Sequence, residues 1–193
     1  MNIFSAAEAG KLDVLDQLFN EGADVNTTDS EGWSPVHHAA SAGQAEVIRY
    51  LAGKGADIEA ETNEEEDEYS HINSAFYKAG SKPLHLAALN GHADAIKVLV
   101  ELGAILESED REYKHKPLHK AAYKGKIEAI KQLVECGAEL ESENTHKENP
   151  LYYAAEHGQA KAIEVLVELG SDLERESDEG LRPIHTATQL MRQ

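Results

Sequence analysis

Ten histidines, one cysteine and 36 carboxylates are the groups in this 193-residue sequence that could hold a metal, relay a proton or attack a substrate. His115 and His119 share the spacing of a metal-binding pair, and Glu109, Asp110 and Glu112 lie near them. Pro117 stands between the two, which puts His115 on an extended segment and His119 inside a helix. No metal site is expected there. Cys136 precedes Gly137 at a place where two other copies of the local pattern carry Leu102 and Leu169, so it reads as a small buried hydrophobe and not as a nucleophile. HExxH, paired CxxC, phosphate-loop, GxGxxG and GxSxG patterns are all absent. Neither a catalytic residue nor a cofactor is expected, and a metal-dependent enzyme is the least favoured reading.

The elements that position these residues come from one repeated phrase. All five prolines lie in it: SPVHHAA from Ser34, KPLHLAA from Lys82, KPLHKAA from Lys116, NPLYYAA from Asn149 and RPIHTAT from Arg182. The intervals are 183 − 150 = 33, 150 − 117 = 33, 117 − 83 = 34 and 83 − 35 = 48, the last being 33 plus 15 inserted residues. A glycine follows each of the first four prolines by eight residues (Gly43, Gly91, Gly125, Gly158), and another comes twelve later (Gly55, Gly103, Gly137, Gly170). Proline at the first helical position opens a helix, paired alanines let it approach its neighbours, and the first glycine ends it. A second helix follows, with apolar residues at helical spacing such as Ile96, Leu99 and Val100. The second glycine stops that helix, and an extended polar finger leads to the next proline. A fixed period of this size means stacked units offering a long surface and not a walled pocket.

Composition narrows the partners. With 36 acidic against 18 basic residues the formal charge is −18, which would repel a phosphate backbone, so nucleic acid and anionic membrane are excluded as expected partners. The N-terminus lacks the basic and apolar regions of a leader, and no stretch approaches a membrane span. A lone cysteine permits no internal disulfide and fits a reducing compartment; a cytoplasmic monomer is expected.

The helix, turn, helix, finger order on a 33-residue period, carrying a P-L-H-x-A-like phrase, resembles the ankyrin repeat. The resemblance implies an all-α solenoid in one domain over 1–193. Its units run about 1–26, 27–59, 81–107, 108–141, 142–174 and a half unit 175–193, with extended β-turn or hairpin fingers and a long inserted finger loop at about 60–80. It also implies that His37, His85, His119 and His185 are structural, their imidazoles hydrogen-bonding backbone between adjacent units. The family threonine before proline is replaced by Ser34, Lys82, Lys116, Asn149 and Arg182, so three units lose a favoured cap and the middle of the stack is expected to be softer. The fingers REYKHK and NTHKEN lack the turn glycine that Gly32 and Gly180 supply elsewhere, and are expected to turn differently. Leu18, Asp24, Val25 and Asn26 resemble the pattern of a hydroxylated asparagine; later units carry Glu59, Glu107, Glu141 and Glu174 there, leaving at most one such site.

Proteins of this kind bind partners along a concave face lined by fingers and first helices. In register that face presents Trp33, Ser41, Ala42, Leu89, Asn90, Tyr123, Lys124, Glu156 and His157, extended by Tyr113, His115 and Tyr153. Trp33 and Tyr123 are the strongest anchor candidates, since aromatics among polar residues favour interface cores. Packing between neighbours is the competing reading for these aromatics, Tyr153 above all. The insertion adds an acidic run (Glu64, Glu65, Glu66, Asp67, Glu68), read alternatively as a solvated loop, and an aromatic half (Tyr69, Phe76, Tyr77) expected to pack on the third unit or on a partner. The expected function is non-catalytic binding of another protein, one with a basic patch, as an inhibitor or a masking or immunity protein; the alternative is the recognition domain or scaffold of a larger protein.

Overall fold

The computed structural model of the protein describes residues 1–62, 80–111 and 113–183. The expectations for Glu64, Glu65, Glu66, Asp67, Glu68, Tyr69, Phe76, Tyr77 and His185 lie outside these residues. Within them the chain forms ten helices in five pairs and no strand. They are α1 (Ile3–Glu8), α2 (Leu12–Asn20), α3 (Pro35–Ser41), α4 (Ala45–Gly53), α5 (Pro83–Asn90), α6 (Ala93–Glu101), α7 (Pro117–Tyr123), α8 (Ile127–Glu135), α9 (Pro150–Glu156) and α10 (Ala160–Glu168). The first helices of successive pairs pack side by side as a row α1, α3, α5, α7, α9, and α4, α6, α8 and α10 form a second row against it.

Small residues make the first row possible. Ala39, Ala40, Ala87, Ala88, Ala121 and Ala122 are wholly buried, so backbones approach where a larger side chain would hold them apart. Leu84, Leu118 and Leu151 fill the layer between the rows, meeting Ile48, Leu51, Ile96, Leu99, Ile130, Leu133 and Leu166 from the second helices. The turn glycines also serve the stacking. At Gly125, with φ +63°, an added Cβ would lie 2.4 Å from the Gln159 amide oxygen of the next pair. That amide donates to the Tyr123 carbonyl at 3.1 Å, as Gln44 does to Glu8 (3.0 Å) and His92 to Ser41 (3.0 Å) three and two joints earlier.

The motif histidines do what the family resemblance implies. His37 Nδ1 accepts the Ser34 amide N–H at 3.1 Å, leaving Nε2–H to donate to the carbonyls of Ala60 and Ser81 at 3.0 and 3.2 Å. His85 bridges Ser108 and His115 in the same way (3.0 Å each), and His119 reaches Glu148 at 3.0 Å. Burial pushes these imidazoles down, to about 4 for His37 and about 3 for His85 and His119, against the pull of the carbonyls. They are therefore neutral hydrogen-bond donors at neutral pH.

Two expectations need correction. Lys82 and Lys116 offer no acceptor to a helix N-terminus, but the cap is not simply lost. His85 and His119 Nδ1 accept the lysines' own amide N–H groups at 3.1 and 3.3 Å, while the ammonium of Lys82 meets Glu59 at 2.9 Å. Glu59 belongs to a ladder. Asn26 Oδ1 accepts the Asp57 amide (2.9 Å), and Glu59, Glu107 and Glu141 accept those of Ile105, Glu139 and Asp172 (3.0, 2.9 and 2.9 Å) in the following unit. The outer carboxylate oxygen then meets the residue before the next proline: Lys82 on Glu59, Asn149 on Glu141 at 2.9 Å, and Arg182 on Glu174 at 2.6 Å. Glu107 is the exception, because Lys116 turns to the Glu143 carbonyl (2.7 Å) and Glu107 Oε2 stays buried without a partner; burial raises its pKa.

The second correction concerns the fingers. Lys114 and Lys147 both take φ +58°, in the register of Gly32 (+75°) and Gly180 (+72°). All four fingers turn alike, and two hold a lysine in a conformation that suits glycine.

Candidate protein-binding surface

Each finger is closed by a residue whose side chain imitates a backbone turn. Asp29 Oδ1 accepts the amides of Glu31 and Trp33 (3.0 and 2.9 Å), Asp110 Oδ1 those of Tyr113 and His115 (3.2 and 3.0 Å), and Asn144 Oδ1 those of His146 and Glu148 (2.9 and 3.0 Å). The same residue is then hitched to the helix that follows. The tie comes from the third residue after proline: His38 Nε2 to Asp29 at 2.8 Å, Lys120 Nζ to Asp110 at 2.6 Å, and Asn144 Nδ2 to the Tyr153 hydroxyl at 3.0 Å. In α5 that position is Leu86, buried and apolar. Three fingers thus share one latch position with three chemistries.

The latch at 110 and the one at 144 merge into a buried polar cluster. Asp110 Oδ2 also receives His115 Nδ1 (3.0 Å), His115 Nε2 lies 2.7 Å from the Tyr153 hydroxyl, and that hydroxyl donates to Glu148 Oε2 at 3.0 Å. Burial disfavours the Asp110 carboxylate, but the His115 hydrogen bond and the Lys120 ammonium outweigh it and hold the group below the usual carboxylate range. Burial lowers His115 and, with Glu148 adding to it, raises Tyr153. Carboxylate, imidazole and hydroxyl follow the order of a nucleophilic relay, yet His115 and Tyr153 are only 3% and 7% exposed and the phenol holds its proton more tightly than usual. The arrangement locks two fingers together. Among the described residues no group of three metal-ligating side chains converges, and His119 faces the Glu148 carbonyl instead of joining His115.

Several residues expected on the surface therefore lie inside. His115 and Tyr153 are consumed by the cluster, and Leu89 is 1% exposed because α5, apolar all round, buries every residue but Asn90. Ser41 and Asn90 are half-buried and bonded to each other, Asn90 Nδ2 donating to the Ser41 carbonyl and hydroxyl at 3.1 and 3.0 Å. Ala42 is the half-buried residue ending α3.

What remains accessible falls into two groups. At the start of the stack Trp33 is half-buried against His38, with ring centroids 5.3 Å apart, and the Phe4 ring lies 5.4 Å from the same imidazole. Towards the far end Tyr123 meets the exposed His157 edge-on at 4.2 Å, with Lys124 Nζ 4.9 Å from the tyrosine ring; Glu156 is exposed beside them and Tyr113 projects from its finger. Phe4 and His38 were not singled out from the sequence. His38 had a signal, since it occupies the third place after proline that Lys120 and Tyr153 fill elsewhere.

The family model described as "Ankyrin repeats (3 copies)" matches residues 3–110, 66–144 and 118–192. The chain belongs to the ankyrin-repeat family. Ankyrin repeats are generally protein-protein interaction modules, and the fold is typically a non-catalytic scaffold. The crystal structure of the human ASB11 ankyrin repeat domain is similar to this ankyrin-repeat protein, the match covering 97% of the present chain and 76% of the ASB11 chain, with a TM-score of 0.78 at 24% sequence identity. Matches to 623 solved chains make the likeness one of fold, which names no partner. No curated protein matches the chain in sequence. Among the described residues no helix is long and apolar enough to cross a membrane.

Proposed function

We propose that this ankyrin-repeat protein binds another protein along the face made by its fingers and first helices, without catalysing a reaction. The observation that carries this reading is the placement of two aromatic groups, Phe4–Trp33–His38 and Tyr123–His157, at separated points of that face, each ringed by polar residues. The partner presents a basic patch. Most lysines and arginines among the described residues already face carboxylates, as in Arg49–Glu101, Lys54–Asp16, Lys82–Glu59 and Arg111–Glu61, so the surplus charge is negative. The protein acts as a cytoplasmic monomer and as an inhibitor or masking protein for that partner; net charge and the lone cysteine support the setting, and the acidic insertion in the sequence supports the mode.

Capture of a partner by the wild-type chain beside a Trp33→Ala, Tyr123→Ala double variant tests the reading. Loss of capture with the helical circular dichroism unchanged is expected. Equal capture by both chains would place the contact elsewhere.

A second reading, a recognition segment within a longer assembly, draws on the apolar strip left open at α10 and the turn after it. Val167, Leu169 and Leu173 are exposed there, whereas Val134, Cys136 and Leu140, one unit earlier in the same register, are half-buried beneath it.

A further inference from the structure

Two carboxylates on the finger and first-helix face lack a cation. Glu59, Glu101, Glu143 and Glu174 each meet a lysine or an arginine. Among the described residues Glu148 and Glu156 meet neither. Glu148 Oε2 accepts from Asn144 Nδ2 and from the Tyr153 hydroxyl, at 2.8 and 3.0 Å, and both donors are neutral. Glu156 lies 3.7 Å from His157 Nδ1, but that nitrogen is 3.1 Å from the Tyr153 carbonyl and gives its proton there.

Aromatic rings join the two carboxylates. Tyr153 holds Glu148 by its hydroxyl, and its ring is stacked with that of His157, the centroids 6.3 Å apart and the planes 8° from parallel. His157 in turn meets Tyr123 edge-on at 4.2 Å. Glu148 is half-buried and the Glu156 side chain is 44% exposed, so neither carboxylate is fully hydrated. Burial pushes the Glu156 carboxyl up and the charge of Glu148 adds to this, together outweighing the pull of His157. A cation brought to this place would relieve both effects. The Tyr123 ring already draws one, the Lys124 ammonium, 4.9 Å from its centroid.

We propose that this part of the face binds an arginine of the partner protein, its guanidinium set between the Glu148 and Glu156 carboxylates and against the rings of His157 and Tyr123. A planar, weakly hydrated fork can meet two carboxylates while its flat side rests on a ring; the lysine ammonium is a compact charge that holds its water. At the other end of the face, beside Trp33, Asp29 is already turned to His38 and to the finger amides, which places the arginine at α9. The inference deepens the reading of this face as the binding surface for a basic protein, and rests on it.

Fluorescein-labelled oligoarginine and oligolysine of equal length, titrated with the full-length chain at about 0.15 M salt, read the site by anisotropy. Oligoarginine is expected to bind at least about fivefold more tightly than oligolysine. The Glu148→Gln, Glu156→Gln double variant should lose at least about tenfold in oligoarginine affinity and most of the preference. Glu135→Gln, Glu168→Gln removes the same charge from exposed places on α8 and α10 and should lose no more than about twofold. Glu156→Gln alone, at a carboxylate that accepts no hydrogen bond, keeps the test open where Glu148→Gln loosens the finger, and should lose at least about threefold. Equal losses in the two double variants, no preference for arginine, or undiminished oligoarginine binding by Glu156→Gln would each overturn the proposal. These titrations use no partner. If the Trp33→Ala, Tyr123→Ala chain fails to capture the partner while the glutamate variants bind oligoarginine as wild type does, the binding reading stands and the arginine site falls.

Discussion

The finger at 27–34 and the finger at 108–116 are built on one plan and differ in how deeply it is sunk. Both use an aspartate to close the turn, and both tie that aspartate to the third residue after proline. In the first the tie is half-open to water and carries a tryptophan beside it; in the second it is sealed, and His115 and Tyr153 fuse it to the next finger. The difference teaches that one register position serves as a joint at the end of the stack and as a weld in its middle. Solvent decides which, because an ion pair out of water is held by what it would cost to separate.

Removing one partner of the sealed pair should expose this most sharply. Asp110→Ala leaves the Lys120 ammonium buried without its carboxylate and is expected to lower stability by about 3–5 kcal/mol in urea unfolding. Asp29→Ala, made at the half-exposed counterpart, should cost no more than roughly 2 kcal/mol, the turn bonds accounting for most of it. Equal losses at the two sites would erase the distinction between weld and joint.

The buried motif histidines give a smaller, graded effect. Their pKa values in the folded chain, about 4 for His37 and about 3 for His85 and His119, lie below the ordinary value of 6.5, so the unfolded chain binds more protons between these limits. Stability is full above about pH 6.5 and falls as the solution is acidified towards pH 4 and below, each histidine contributing up to about 1.4 kcal/mol per pH unit. His119→Gln should flatten the curve of unfolding midpoint against pH by that share.

The smallest expected change concerns the turns. Lys147→Gly relieves a left-handed lysine and should raise stability by up to about 1 kcal/mol, whereas Gly32→Ala at the matching place in the first finger should lower it by a similar amount. Thermal melts of the two variants, shifting in opposite directions, would show that both fingers need the same conformation.

These turns mark where the sequence stopped being legible. Period, proline and glycine specified the helix pairs, because each of those features has a backbone cause visible in a single residue type, while the bridging histidines were legible only through the resemblance to the ankyrin repeat. A lysine in a left-handed turn has none: Lys114 and Lys147 stand three residues before proline as Gly32 does, but nothing in their residue type announces the conformation. The latches escaped for a related reason. Histidine, lysine and tyrosine share a place three residues after proline but no chemistry that a pattern would collect, and only their bonds to Asp29, Asp110 and Asn144 give that place a role. On the surface, Trp33 and Tyr123 were readable as aromatics among polar neighbours, whereas Leu89 was misplaced because register alone ignores a helix that is apolar on every side.

The carboxylate ladder carries a consequence for how such a chain grows. A segment running from Lys82 to His115, one full period with its finger, begins with the cation that the preceding Glu59 meets and carries Glu107, which accepts from the backbone of the following unit. Duplicated in tandem, it would meet its own copy with both halves of the seam already in place, needing no compensating mutation. The opening segment, which ends in Asn26 with Ser34 eight residues on, carries no such ion pair, so a copy of it placed in the interior would leave its joint without the charge match.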